Sequence, residues 1–359
     1  MPAMATPIRR AVAPSQLSRA LHSSASWSIY YVTSLPPQIP QTSFKPQLTS
    51  SISLRTLATT AVRLQNKSRR PSSPPQQKQQ EEQEVDMSEP TGLIATEGIE
   101  LLTMGTPNGY KASIILEELK EAYGDKFPKI TYQAINIMKN TQKEPWFIKV
   151  CPNGRIPALV DHDRNDFPVF EGAAILHYLT KHYDPENKLS FDYNSDDYSV
   201  SEQWIAWQHG GVGPMQGQAN HFLRFAKEKI PYGIQRYVGE SERLYGILNT
   251  RLADRDYVAG PGRGKYSIAD ISLLGWANVA ILSGVDLHKL FPNVVAWLDR
   301  CLARPGTKRG FAVPQESSFA NSAFLKKIEE DPEAKKNYEE TTKLLNDAKA
   351  QYNYKFSSP

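Results

Sequence analysis

Residues 99–104 form a short, mostly apolar run that predicts a strand. Thr106-Pro107-Asn108-Gly109 follows as a turn, with Pro107 placed to open a helix. Ile114, Ile115, Leu116 and Leu119 then recur at helical spacing. Residues 130–135 alternate as a second strand, and 145–150 suit a short helix. Residues 158–161 and 168–170 flank a polar turn at 162–167 and predict a hairpin. Residues 171–182 place Ala173, Ala174, Ile175, Leu176 and Leu179 on or near one helical face. The order βαβ and then ββα implies a mixed four-stranded sheet with helices packed on it.

Beyond Asp184-Pro185-Glu186-Asn187 the pattern changes, and no further strand is predicted. Residues 198–225, 231–255, 267–282 and 293–303 are helical in period. The expected organisation is an α/β domain over 97–188, an all-helical domain over 198–312 and a charged tail over 313–359. The tail holds one expected helix, 331–351, whose polar surface suits a solvated or partner-docked helix.

Charge changes the picture at the N-terminus. The net charge of +4 over 359 residues hides an asymmetry, because residues 1–80 hold seven Arg, three Lys and no acid. The remainder carries 32 basic against 38 acidic residues, which argues against a general nucleic-acid role. Residues 1–90 read as a basic leader and linker with the composition of a mitochondrial transit peptide. Segments 8–21 and 55–64 suit basic amphipathic helices, and residues 76–84 form a polar linker. An untargeted tail is the other reading, and Met87 offers an internal start that would give a cytoplasmic form. Cys151 and Cys301 make no CxxC, and neither they nor the seven scattered His show metal-ligand spacing, so no metal is expected. No run of eighteen apolar residues is present, so no membrane span is expected.

The densest motif is Cys151-Pro152-Asn153-Gly154-Arg155-Ile156-Pro157-Ala158-Leu159. It resembles the N-P-x-G-x-[VI]-P-x-L stretch of glutathione transferases. Val169-Phe170-Glu171-Gly172-Ala173-Ala174-Ile175 resembles that family's E-S-x-A-I segment, with Gly172 in place of Ser. Tyr266-Ser267-Ile268-Ala269-Asp270 resembles its helical-domain capping box. The resemblance covers residues 98–312 and implies the glutathione transferase fold, a thioredoxin-like domain followed by an all-α domain. It implies a cis bond before Pro157, with Ile156 pairing its backbone to the cysteinyl part of glutathione as an added strand would. Arg155 belongs to the same binding stretch. Glu171 would meet the γ-glutamyl ammonium, and the helix start at Gly172 its carboxylate. Without the Ser hydroxyl one hydrogen bond of about 1 kcal/mol is missing. Gln142 falls where relatives bind the glycyl carboxylate.

Thr106-Pro107-Asn108-Gly109-Tyr110-Lys111 is similar to fungal nitrogen-regulator-type transferases and their bacterial nu-class relatives, some of which reduce disulfides with glutathione. Residues 204–208, 214–222 and 234–237 share that likeness. It implies that Asn108, supported by Thr106 and by Arg236 from the helical domain, stabilises the thiolate of bound glutathione. A free thiol with pKa near 8.5 is only a few per cent ionised at pH 7, so each unit of lowering needs about 1.4 kcal/mol. The activated thiol would serve conjugation to a small electrophile or reduction of disulfides and peroxides. The alternative is a non-catalytic glutathione-binding regulatory module. The family also implies a homodimer.

Overall fold

Strand β1 (Ile99–Thr103) lies inside a sheet of order β2-β1-β3-β4 and is buried along its whole length. It runs parallel to β2 (Ile130–Ala134) and antiparallel to β3 (Ala158–Asp161), which pairs antiparallel with β4 (Phe167–Phe170). This computed structural model describes residues 90–315 and 320–355, which fall in one compact unit, Glu81–Pro359. The segments read as import helices, the polar linker and Met87 lie outside the described residues. Glu100 is buried in mid-strand, but its carboxylate accepts from the amides of Ile94 and Ala95 and faces His162 Nε2 at 3.1 Å. A buried acid is tolerable with that many partners.

Helix α1 (Gly109–Tyr123) opens two residues after Pro107 rather than at it. The helical spacing predicts one apolar face, yet residues 109–119 are buried all round. The reason is a second wall. Helices α2 (Pro145–Val150) and α3 (Gly172–Tyr183) belong to the sheet side, whereas α10 (Pro305–Phe311) presses on α1 from the helical region. A side chain at Gly310 would come within 2.5 Å of Ile114 Cα, so the contact requires glycine. Glu118, an acid that reads as solvent-facing, is buried there. It binds Arg304 through both oxygens (3.0 and 2.6 Å) and the Thr307 amide and hydroxyl (2.9 and 2.8 Å).

The helical region begins with α4 (Asp196–Trp207), capped by Ser195 Oγ on the Tyr198 amide. The expected continuous helix 198–225 is instead α4, a π-turn at Gln208–Val212, α5 (Gly213–Asn220) and a second π-turn at His221–Phe225. A π-turn shifts the hydrogen-bond ladder by one residue, which periodicity does not reveal. Next come α6 (Pro231–Arg251) and α7 (Ile268–Ala277). The short α8 (Leu287–Leu290) precedes α9 (Pro292–Leu302), and α10 follows. Helices α8 and α10 were not foreseen, being too short to show a period. Among the described residues no helix is long and apolar enough to cross a membrane.

Ser267 and Asp270 form the capping box at the start of α7. Asp270 accepts from the Ser267 amide at 3.0 Å, the Val258 amide at 2.9 Å and Trp297 Nε1 at 2.9 Å. Burial pushes the Asp270 pKa up to about 6, while these donors pull it down. Ser267→Ala should lower stability by about 1 kcal/mol, read from the urea midpoint, and leave ligand binding intact.

The tail folds as two helices, α11 (Asn321–Glu330) and α12 (Pro332–Gln351), where one was expected. Helix α12 is docked on α6 within the same chain. Leu345 and Ala348 are buried, and Lys349 Nζ meets the buried Glu242 Oε1 at 2.5 Å. Tyr354 donates to the Gly239 carbonyl at 3.0 Å.

Candidate functional site

The sheet register gathers the motif loops at one end. Leu102, near the end of β1, pairs with Ala158 at the start of β3, and Ala158 pairs with Phe170 at the end of β4. Thr103 pairs with Ala134 at the end of β2. The loops at 104–108, 135–144 and 151–157 and the β4–α3 junction therefore share one edge.

Asn108 immediately precedes α1, and its side chain is exposed. Trp276 Nε1, at the end of α7, donates to Asn108 Oδ1 at 3.2 Å. An indole N–H can only donate, so this contact fixes which end of the amide points away. The Asn108 Nδ2 hydrogens, without a partner among the described residues, are left to face an incoming acceptor. Gln216 Nε2 in turn holds the Trp276 carbonyl at 2.9 Å, and Tyr245 OH donates to Gln216 Oε1 at 2.7 Å. Thr106 Oγ1 accepts from the Gly109 amide at 3.1 Å, which keeps the hydroxyl proton for another partner. The Trp276 role was invisible in sequence, where this residue looks like helix core.

The Ile156–Pro157 bond is cis, as the resemblance implies. Glu171, a non-glycine residue, sits at φ 69°, a conformation that costs energy and that surrounding structure must impose. Its Oε1 accepts from Asn153 Nδ2 at 3.1 Å. Helix α3 starts at the next residue without a side-chain cap, so its first amides offer an anion site.

Beneath that helix start runs Lys111, only 1% exposed. A Cβ on Gly172 would lie 3.3 Å from Lys111 Cδ and 3.6 Å from His209 Nε2, so glycine fits the room left over the lysine stem. Lys111 Nζ donates to Gln208 Oε1 at 2.8 Å and lies 3.3 Å from His209 Nε2. His209 Nδ1 meets the Ile205 carbonyl at 3.1 Å and must be the donor there, which leaves Nε2 as an acceptor. Burial lowers the Lys111 pKa to about 7, against an upward pull from Glu171. Burial and Lys111 together hold His209 down at about 4, so it is neutral at pH 7.

Other expected residues fall differently. Gln142 turns inward, 6% exposed, with Nε2 on the Ile137 carbonyl at 3.5 Å. Its neighbour Lys143 reaches the motif loop instead, donating to the Gly154 carbonyl at 2.7 Å. Arg155 is exposed, and its carbonyl accepts from the buried Cys151 thiol at 3.3 Å. Among the described residues, Arg236 makes no hydrogen bond or ion pair to the Asn108 loop. It pairs with Glu240 at 3.8 Å and borders a groove with Arg243 and Tyr354. Cys301 is fully buried in the core. Among the described residues no three His, Cys, Asp or Glu side chains are placed to hold a metal.

A cis-proline loop, an acid at positive φ before an uncapped helix start and an oriented amide at the start of α1 lie along one edge of a thioredoxin-like sheet. The family comparisons agree. The glutathione S-transferase N-terminal domain matches residues 98–181 and the C-terminal domain residues 234–305. The chain is 37% identical over 218 residues to the glutathione S-transferase-like protein tpcF of Aspergillus fumigatus, covering 58% of this chain and 92% of that one. It is also 37% identical over 213 residues to the disulfide-bond oxidoreductase YfcG of Escherichia coli, with coverage of 58% and 92%. Among solved structures, a glutathione transferase homolog from Lodderomyces elongisporus with two GSH per subunit superposes with TM-score 0.56 at 37% identity, covering 61% of this chain and 99% of that one. Ure2p in complex with glutathione superposes with TM-score 0.56 at 30% identity, covering 61% and 100%. The chain belongs to the glutathione S-transferase family.

Proposed function

We propose that the protein is a glutathione-dependent thiol enzyme that favours disulfide reduction over conjugation. The observation that carries this is the Asn108 amide, oriented by Trp276, in a chain whose two cysteines are both buried. Such a site has no reactive protein thiol of its own, so the bound tripeptide supplies the sulfur. Its thiolate attacks one sulfur of a disulfide, and the other sulfur leaves as a thiolate that takes up a proton. A second glutathione then resolves the mixed disulfide. The similarity to an oxidoreductase and to a structure holding two GSH per subunit supports this order of preference.

Within that reading the chain's residues divide the work. Asn108 Nδ2 donates to the sulfur, and the Thr106 hydroxyl proton is free to add a bond. Ile156 offers its backbone to the cysteinyl part. Glu171 takes the ammonium, and the first amides of α3, with Lys111 beneath them, take the γ-glutamyl carboxylate. Gly172→Ser would restore a hydroxyl to that carboxylate. It should tighten glutathione about five-fold by calorimetry, equivalent to about 1 kcal/mol, with Lys111 yielding a few tenths of an ångström.

The test is turnover of the mixed disulfide of hydroxyethyl thiol beside conjugation of chlorodinitrobenzene. Faster disulfide turnover supports the proposal. Glutathione binding without turnover of either substrate replaces it with a regulatory module. A homodimer is the proposed assembly, checked by light scattering. The basic composition of residues 1–80, which hold no acid, supports mitochondrial import. A fluorescent protein carrying residues 1–86 should enter mitochondria, and a diffuse cytoplasmic signal would refute this.

A further inference from the structure

Lys111 is buried among groups that do not call for a charge. Its side chain is 1% exposed, and the two groups that Nζ reaches, Gln208 Oε1 at 2.8 Å and His209 Nε2 at 3.3 Å, are both neutral acceptors. An uncharged amine has two N–H donors, which these two acceptors satisfy. An ammonium has three, and it brings a charge that neither acceptor cancels. Glu171, the acid that acts on it, is exposed, accepts from Asn153 at 3.1 Å and forms no ion pair with the lysine. These surroundings favour the amine, in line with the lowering of its pKa to about 7 by burial.

The α3 start above the lysine is open to an anion. Its first amides have no side-chain cap. A Cβ on Gly172 would stand 3.3 Å from Lys111 Cδ and 3.6 Å from His209 Nε2, and among the described residues no third group from another element comes within 4 Å of that point. A carboxylate seated on those amides therefore lies over the Lys111 stem, with no side chain of residue 172 between them.

We propose that glutathione binds here together with a proton, which Lys111 takes up as the γ-glutamyl carboxylate settles on the α3 amides. The inference rests on the glutathione site proposed above and adds a regulation to it. The carboxylate supplies the countercharge that Gln208 and His209 lack, so the ammonium becomes the favoured form, with its third N–H free for the anion. The other groups around Nζ leave this exchange to Lys111. Gln208 does not titrate. His209, held at about 4, donates through Nδ1 to the Ile205 carbonyl and stays neutral. His177 of α3, paired with Glu202 of α4 at 3.4 Å, acts on His209 rather than on Lys111. The ligand ammonium offsets the pull of Glu171, but that pull comes from an exposed acid, whereas the carboxylate lies over a buried stem. Affinity for glutathione then falls as pH rises above about 7, while thiol ionisation increases, so KM and kcat should climb together.

Calorimetry of S-methylglutathione on the full chain tests this, because the methyl group removes the thiol proton from the count. The ligand's own amine contributes equally to the wild type and to Lys111→Met, so the difference between the two proteins is read. At about pH 8, in two buffers of different ionisation enthalpy, the wild type should take up about 0.4–0.8 proton more than the variant, as a rise of one to two units in the Lys111 pKa requires. At about pH 6 the lysine is charged in both states, and the difference should shrink to about 0.1 proton. From about pH 6 to 8.5 the wild-type affinity should weaken about seven-fold or more relative to the variant. In the wild type itself, the lysine Cε resonance that is missing from the NMR spectrum of Lys111→Met should titrate at about 7 in the free protein and at least about one unit higher with S-methylglutathione bound. Equal proton counts in the two proteins, or a Lys111 resonance that titrates at the same pH with and without ligand, would overturn the proposal and leave the glutathione site in place. Absence of S-methylglutathione binding to the wild type would overturn both.

Discussion

Asn108→Ala is expected to lower kcat for mixed-disulfide reduction by about 10- to 100-fold, the effect of losing one charge-assisted hydrogen bond of about 1.5–3 kcal/mol. The KM for glutathione should change little, because Glu171, the α3 amides and the Ile156 backbone grip other parts of the molecule. The second signature is in pH. If Asn108 Nδ2 stabilises the thiolate, its loss raises the thiol pKa by one to two units, at about 1.4 kcal/mol per unit. The rising limb of the kcat profile must then move to higher pH by the same amount. A merely structural role would lower activity without moving the profile. Trp276→Phe offers a milder version. It keeps Asn108 but removes the Nε1 donor that holds Oδ1 at 3.2 Å, so the amide can turn its oxygen toward the sulfur. A smaller loss with a partial pH shift is expected there. A full loss in Asn108→Ala with an unmoved profile would remove the thiolate role from this residue.

The legible parts of this fold were those written in contiguous residues. The strands, the hairpin around 162–167 and the Ser267–Asp270 cap each need only neighbours along the chain, and each lies within a residue or two of its expected bounds. The cis proline was legible only through the family resemblance of its motif, which is itself contiguous in sequence. What escaped needed knowledge of a distant partner. Glu118 carries a charge that a helix would ordinarily turn to water, and only Arg304 and Thr307, on or beside α10, make its burial possible. Trp276 reads as core until Asn108 is seen beside it. Arg236 was assigned by likeness alone, and the tail end, with Tyr354, now shares its groove. The π-turns after Trp207 and Asn220 left no periodic trace, although the first of them carries Gln208 and His209 to Lys111.

Lys111 is where that unseen contact has its largest expected consequence. Burial lowers its pKa from 10.5 to about 7, while in the unfolded chain it returns to the ordinary value. Between these values the unfolded state holds a proton that the folded state has released, so stability rises with pH. The slope approaches about 1.4 kcal/mol per pH unit, and the full span amounts to about 5 kcal/mol. Below pH 7 the ammonium is charged in both states, and the whole cost of burying it is borne. The groups facing Nζ do not reverse this. Gln208 is neutral, His209 is held neutral by burial and by Lys111 itself, and Glu171 only moderates the shift. Lys111→Met keeps the length of the stem under Gly172 and removes the titrating group. Its urea midpoint should be nearly flat from pH 7 to 8.5, while the wild-type midpoint climbs. Subtracting the two curves cancels the thiols and tyrosines that titrate at higher pH. The variant should also be the more stable protein near pH 6, less about 1–2 kcal/mol for the acceptors left open on Gln208 and His209. Parallel curves for the two proteins would mean that Lys111 keeps its proton in the fold, through Glu171, and that the anion site above it is permanently charged.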